Sequence, residues 1–171
     1  NTLGWVPSDT ILTKEQENMT ALMDGKRGFF QGIPINTNLC YSNPDVIASF
    51  AEKVTAYAML HPEVDYLHVW LADASNNHCE CDTCKKHLPS DLYVHILNEI
   101  DRALTQKQLD TKIVFLIYEE LLWAPIEEKL LHPHRFVMMF APISRTFLQS
   151  YEIPEQLPAP VPYQRNQITL P

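Results

Sequence analysis

The chain has 171 residues, of which 46% are hydrophobic and 20% charged, so its composition is that of an ordinary globular protein. This length fits one domain, or part of one, and is sufficient to bury most of the apolar surface. The formal net charge of −8 argues against nucleic-acid or anionic-membrane partners, and no apolar run approaches the ~20 residues that span a bilayer.

The first predicted elements in chain order are a short helix, an extended segment and a longer helix. Residues 13–16 (TKEQ) form a capping-box pattern, and Gly25 would end the first helix. Residues 28–36 predict an extended segment that ends near Cys40. The longer helix should begin at residues 43–44, an Asn N-cap followed by Pro. Its apolar face has helical spacing and consists of Val46, Ile47, Phe50, Val54, Tyr57 and Leu60.

Three apolar runs further along the chain predict strands, with helical patterns between them. The run at 66–72 (YLHVWLA) is typical of a strand buried on both faces. A helix follows from about Pro89, then a strand at 112–118, a short helical patch at 126–131 and a last strand at 135–142. The apolar side of the helix is formed by Leu92, Ile96, Leu97, Ile100 and Leu104.

This alternation predicts an α/β fold with parallel strands and right-handed crossover connections. Two architectures accommodate four strands: about half of a (β/α)8 TIM barrel, whose full form has ~250 residues, or a small open α/β sheet. The chain has no initiating Met, so we expect a segment of a longer protein and favour the half barrel. The expected division is a partial barrel domain at 1–150, with a cysteine-rich loop at 73–88, and a proline-rich irregular tail at 151–171.

Polar and reactive residues follow each predicted strand. Functional groups collect at the carboxyl ends of parallel strands, so we expect these residues to share one face of the sheet. In chain order they are Asn38 to Tyr41, then Asp73, Asn76, Asn77 and His78 with the cysteines, then Tyr118, Glu119, Glu120 and Trp123, and finally Ser144 and Arg145.

The cysteines suggest a metal site. Cys79, Cys81 and Cys84 lie within six positions, and strand adjacency would bring Cys40 to them. Tetrahedral zinc sites use four such ligands, with His78 as an alternative, and four protein ligands make a site structural. Disulfides and free thiols are the other interpretations, because four cysteines can also pair. Zinc binding would indicate a cytoplasmic protein, and disulfides an exported one.

Four stretches of the sequence resemble, in matching order, a bacterial family catalogued as domain of unknown function 4838 and placed among glycoside-hydrolase-like TIM barrels. The stretches are NLCYSNPDVI (38–47), ADASNNHCECDTCKK (72–86), IYEELLWAP (117–125) and VMMFAPISRTF (137–147). The resemblance covers roughly residues 29–147 and implies a barrel that acts on carbohydrate, without an established activity or catalytic pair. It carries over, as motif positions, Asp73, Tyr118 and the four cysteines.

Glycoside hydrolysis requires two carboxyl groups beside the scissile bond, ~5–5.5 Å apart for retention or ~6.5–9.5 Å for inversion. Asp73 follows an apolar run, and partial burial there would raise its pKa towards that of a general acid. Its alternative role is to cap the following loop. Strand alternation lets only one of Glu119 and Glu120 point inward, and we favour Glu119.

Sugar binding needs flat rings and hydrogen-bonding groups near these acids. Tyr41 and Trp123 fall in predicted loops on the expected face and are candidates for stacking on a sugar ring. The other candidates for substrate contacts are Asn76, Asn77, Tyr118 and Arg145.

Two functions therefore remain open. The chain is either a fragment of a glycoside hydrolase, with a structural metal near its active face, or a non-catalytic carbohydrate- or protein-binding module on the same scaffold. A half barrel would lack the catalytic groups of its missing strands, so the isolated fragment should be inactive. Its exposed apolar edge strands should also cause self-association.

Overall fold

A computed structural model describes residues 11–143, 147–148, 158–167 and 169–171. It confirms the α/β class, because three parallel strands form one open sheet in the order β1-β2-β3. The strands are β1 (Tyr66–His68), β2 (Lys112–Ile117) and β3 (Phe136–Phe140). The helices are α1 (Lys14–Met19), α2 (Pro44–Leu60) and α3 (Pro89–Gln106). This sheet matches the small open α/β alternative, and the half barrel stays a prediction.

Helices α1 and α2 begin where the sequence predicts, because side chains bind their first free N–H groups. Thr13 Oγ1 accepts from the Gln16 N–H at 3.2 Å, and the Gln16 side chain accepts from the Thr13 N–H at 3.0 Å. This reciprocal pair is the predicted capping box. At α2, Asn43 Oδ1 accepts from the Asp45 N–H at 2.9 Å.

The segment between α1 and α2 differs from the prediction. Helix α1 ends at Met19 instead of continuing to Gly25, because Thr20 pairs with Leu39 in an antiparallel bridge. The extended segment predicted at 28–36 is wrong: the chain there forms two 3-10 turns, at Phe30–Gly32 and Pro34–Asn36. A positive φ of 52° at Gln31 and the missing N–H of Pro34 are incompatible with a regular strand.

The helical patch predicted at 126–131 is also wrong, because side chains of α3 bind the backbone of this segment. Asp91 Oδ1 accepts from the N–H groups of residues 126, 127 and 128 at 2.9, 2.8 and 3.0 Å. The side chain of Asn98 bonds the Lys129 carbonyl and the Leu131 N–H, both at 3.0 Å. These bonds replace the intrahelical ones, so the segment is irregular.

Strand β1 is shorter than the predicted run of 66–72 and is buried on one face, not on both. Leu67 is buried, whereas Tyr66 is 59% exposed. Beyond the strand, Val69 still donates its N–H to the Val114 carbonyl at 3.0 Å. Helices α2 and α3 cover one face of the sheet, so the alternate residues of β1 reach solvent.

The main core lies between that face of the sheet and the two long helices, which also pack against each other. Most of the predicted apolar faces are buried there, but Leu60 at the end of α2 is 77% exposed. The fully buried side chains of this core include Val46, Val54, Ile96, Leu97, Ile100, Leu104 and Ile113.

Four successive apolar side chains of β3, residues 137–140, are exposed. This surface is the kind that led us to expect self-association, which stays a prediction. Within the described ranges, no helix combines the length and the apolar character needed to cross a membrane.

We expect Ile100→Ala to lower the free energy of unfolding by about 2–5 kcal/mol, because it leaves a cavity among fully buried side chains. Leu60→Ala is the matched control and should change it by less than about 0.5 kcal/mol, because Leu60 is exposed. Urea denaturation of both variants measures the difference. Equal losses in the two variants would contradict the position of the core.

Candidate metal centre

Three of the four predicted polar segments meet near the carboxyl end of the sheet, while Ser144 and Arg145 of the fourth lie outside the described residues. Asn38 Nδ2 donates to Asn77 Oδ1 at 2.9 Å, and Asn38 Oδ1 accepts from the Ala72 N–H at 3.1 Å. Both asparagines are buried. The segment that precedes α2 therefore lies beside the loop that follows β1, although it is not itself a strand.

This contact assembles the four cysteines. The Sγ atoms of Cys40, Cys79, Cys81 and Cys84 all lie within 4.8 Å of one another, and all four thiols are free. The Cys40 sulfur is 3.7 Å from that of Cys81 and 3.9 Å from that of Cys84. Three of the four side chains are buried, in a small apolar cluster separate from the main core.

The spacing of the sulfurs fits one shared metal ion. With Zn–S bonds of ~2.3 Å, tetrahedral geometry places the sulfurs roughly 3.8 Å apart. The two short distances from Cys40 agree with this value. No other group of three or more His, Cys, Asp or Glu side chains in the described part of the chain is close enough to share an ion.

Backbone N–H groups point at two of the sulfurs. Leu22 donates to Cys79 Sγ at 3.2 Å, and Cys84 donates to Cys81 Sγ at 3.4 Å within its own C-x-x-C turn. Such bonds stabilise the thiolate form of cysteine, which is the form that binds metal. The turn closes with a 3-10 helix at Cys84–Lys86.

Hydrogen bonds among the thiols shift their pKa values in opposite directions. Hydrogen bonds from Cys79 and Cys84 lower the pKa of Cys40. The same contact raises the pKa of Cys79 to about 11, and it also raises the pKa of Cys84. A divalent cation in the centre would displace these protons and allow all four sulfurs to be thiolates.

Two neighbours of the sulfurs were missed in the sequence analysis. Ser42 Oγ lies 3.0 Å from Cys84 Sγ. Its position two residues after Cys40 in the sequence was the signal that could have indicated this contact. Burial acts to lower the pKa of Arg27, but Cys40, with Cys79 and Cys81, raises it overall. The sequence offered no signal for Arg27. Its positive charge would offset part of the net negative charge of a divalent metal ion bound by four thiolates.

His78 does not join the cysteines as an alternative ligand. Its ring packs edge-on against Tyr163, with the ring centres 5.3 Å apart. Burial lowers the pKa of His78 to about 4, so the imidazole is neutral near neutral pH.

The predicted acids gather around a different side chain, Tyr118. Its hydroxyl donates to the Ala74 carbonyl at 3.0 Å and lies 3.4 Å from Asp73 Oδ1. Burial, followed by the charges of Asp73, Glu120 and Glu119, raises the pKa of Tyr118. The structure thus brings all three candidate carboxylates close to Tyr118, beside the cysteine-rich loop.

The environments of these acids differ from our expectations. Asp73 is exposed instead of partly buried, and its Oδ1 accepts from the Ala74 N–H at 2.8 Å, as a loop cap does. Glu120, not the favoured Glu119, is the buried glutamate, and it accepts a short bond from the Asn76 N–H. Strand alternation fails here because residues 119–122 form a 3-10 helix. Burial raises the pKa of Glu120.

Most of the predicted sugar contacts have structural partners. Tyr41 is buried and donates to Asn38 Oδ1 at 3.0 Å, so it does not offer an exposed ring. Trp123 is also buried and donates from Nε1 to the Thr169 carbonyl at 2.7 Å. The Asn77 side chain donates to two backbone carbonyls, both at 2.8 Å. Arg145 lies outside the described residues.

The described residues of the tail, 158–167 and 169–171, contain neither helix nor strand. They pack beside Asn76, Glu120 and Trp123. The side chains of Asn76 and Asn166 bond each other at 2.8 Å. Arg165 pairs with Asp24 and lies 5.9 Å from the centre of the Phe30 ring. The tail therefore covers Glu120 and Trp123, while the predicted domain boundary at 150 stays a prediction.

We expect Arg27→Met to weaken metal binding by roughly 10–100-fold, the usual effect of removing a group that supports metal ligands. The exposed neighbour Lys26 provides the control, and Lys26→Met should bind as the unaltered protein does. Competition with a chromophoric chelator measures both affinities. An unchanged affinity for Arg27→Met would show that its charge does not act on the metal.

Comparison with known proteins agrees with the resemblance of the four stretches. A family model described as domain of unknown function (DUF4838) matches residues 3–160. No curated protein and no solved structure matches the chain. Since the matched region spans nearly the whole sequence, the chain belongs to the DUF4838 family.

Proposed function

We propose that Cys40, Cys79, Cys81 and Cys84 bind one Zn²⁺ ion in a structural site. The observation that carries this proposal is the close approach of four free sulfurs, with two of their separations at the tetrahedral value. Four protein ligands leave no position for water or substrate, so the ion would act on the fold and not on a reaction. It would join the segment before α2 to the loop that carries Asp73.

We expect the purified chain to contain about one zinc ion, with four thiols titratable after denaturation and chelation. Cys81→Ser should lose the ion and unfold at a lower temperature, since three ligands bind zinc more weakly. Thr83→Ser, on the same exposed turn, is the control and should keep the zinc content. Elemental analysis and thermal unfolding give the result, and a metal-free protein with two or fewer thiols would refute the site.

We further propose that the edge around Tyr118 takes part in glycoside hydrolysis within the longer protein. Asp73 and Glu120 support this, because both act electrostatically on Tyr118 while Asp73 is exposed and Glu120 is buried. The buried Glu120, whose pKa is raised, suits a general acid. The exposed Asp73 suits the base or nucleophile. The proposed substrate is a glycan.

In the complete protein, Glu120→Gln should reduce glycan turnover roughly 10²–10⁴-fold, because it removes the proton donor. Asp73→Asn should also abolish turnover, while both variants fold normally. Glu119→Gln is the matched control and should retain activity. Reducing-sugar release from a glycan panel is the measurement, and full activity in either Glu120→Gln or Asp73→Asn would remove that residue from the mechanism.

A non-catalytic binding module is the second candidate, favoured by one specific observation. The tail packs over Glu120 and Trp123, and Tyr41 is buried, so these groups do not face solvent together. In such a module the edge would bind carbohydrate or protein without cleaving it. Glycan-array binding by the complete protein, with no hydrolysis of the ligands found, would distinguish it from the enzyme.

A further inference from the structure

The tail occupies the space beside Glu120 that a ligand would need. Pro89, Glu120 and Trp123 form one wall of a small cavity, and described residues of the tail form the other. The volume between the walls is about 10 Å³, which is room for roughly one water molecule and not for a sugar ring. A ligand of that size reaches the Glu120 carboxyl group from this side only if the tail moves away.

The tail also binds polar groups that a ligand would use. Trp123 Nε1 donates to the Thr169 carbonyl at 2.7 Å. Asn76 Nδ2 donates to Asn166 Oδ1 at 2.8 Å, and Asn76 Oδ1 accepts from the Asn166 N–H at 2.7 Å. The Asn76 carbonyl accepts from Arg165 Nε at 3.2 Å. Asn76 and Trp123 are two of the candidates for sugar contacts, and the same short segment of the tail occupies both.

Exposed and mostly polar contacts hold the tail in this position. Among residues 158–167 and 169–171, none is buried, although Glu120 and Trp123 beneath them are. The ion pair of the tail joins Arg165 to Asp24, whose side chain is 67% exposed, so water and salt weaken it. Segments with few buried contacts open locally at a low free energy, and lids over binding sites are drawn from such segments.

We propose that the described part of the tail, 158–167 and 169–171, is an autoinhibitory strap that opens and closes over Glu120, Trp123 and Asn76. When the strap opens, the Trp123 indole N–H and the Asn76 side-chain amide are free to bind hydroxyl or amide groups of a ligand. The closed strap takes the place of that ligand. The opening is independent of the proposed function, whereas the nature of the ligand, a glycan, rests on it.

Hydrogen exchange of the Trp123 indole N–H measures the opening directly, because this N–H is bonded to the strap. NMR spectroscopy of the purified chain with its own metal content follows the exchange, and Trp123→Phe assigns the signal. The indole N–H of Trp70 is the internal reference, since its Nε1 is buried and has no hydrogen-bond partner among the described residues.

A double variant, Arg165→Met with Asn166→Gly, removes side-chain contacts of the strap and spares the groups beneath it. Glycine keeps the left-handed backbone of Asn166, where φ is 62°. We expect exchange at Trp123 to become roughly tenfold faster or more, because an ion pair and two side-chain hydrogen bonds are lost, while Trp70 is unchanged.

Gln164→Ala is the matched control, because it alters an exposed side chain of the same strap. It should leave the exchange rate of Trp123 as in the unaltered protein. Unchanged exchange at Trp123 in the double variant overturns the proposal. So does equal acceleration at Trp123 and Trp70, which would show that the whole fold has loosened.

Glycan turnover by the complete protein distinguishes this inference from the proposed function. At low glycan concentration the double variant should turn over substrate faster than the unaltered protein, because a larger fraction of molecules is open. Faster indole exchange with no turnover in either protein refutes the proposed hydrolysis and supports the opening of the strap. Measurable turnover that the double variant does not increase overturns the autoinhibition, because the strap would then not restrict access.

Discussion

The convergence of four sulfurs is the interaction on which the carboxyl edge of this protein depends. Cys40 lies before α2, and Cys79, Cys81 and Cys84 lie in the loop between β1 and α3, so the cluster joins two parts of the chain that share no regular strand pairing. A metal ion held between them would act as a cross-link, and its binding free energy would be part of the folding free energy. The loop that carries Asp73 is positioned by the same contact.

Buried polar side chains do the rest of this positioning, in place of regular secondary structure. Asn38 and Asn77 bond each other and nearby backbone groups, and Asp91 binds three successive N–H groups of the segment after β2. Tyr118 holds the start of the cysteine loop through the Ala74 carbonyl. Long irregular segments can be well ordered in this way, because their backbone groups find partners that a helix or sheet would otherwise supply.

The carboxylates near the cysteine loop lie in different settings. Around Tyr118, one acid is exposed and another is buried under the tail, a separation of environments that suits proton transfer. In the segment after β2, Glu127 and Glu128 instead lie beside His87 and His95 of the neighbouring elements. A structural metal held by the four cysteines would help to keep the nearby Tyr118 arrangement in place without taking part in a reaction.

The sequence by itself determined the α/β class and the starts of α1 and α2, because caps and periodicity are local signals. It also predicted the meeting of Cys40 with the cysteine loop, but from a strand at 28–36 where the structure has two 3-10 turns. It was wrong at 126–131, where the side chains of Asp91 and Asn98 bind the backbone and prevent the predicted helix. It was also wrong about which of Glu119 and Glu120 is buried, because these residues lie in a 3-10 helix and not in a strand. Only the tertiary structure decided which acids are buried, that Tyr41 and Trp123 are buried too, and that Arg27 lies beside the sulfurs. Burial and long-range contacts depend on how the elements pack, which no local pattern of residues specifies.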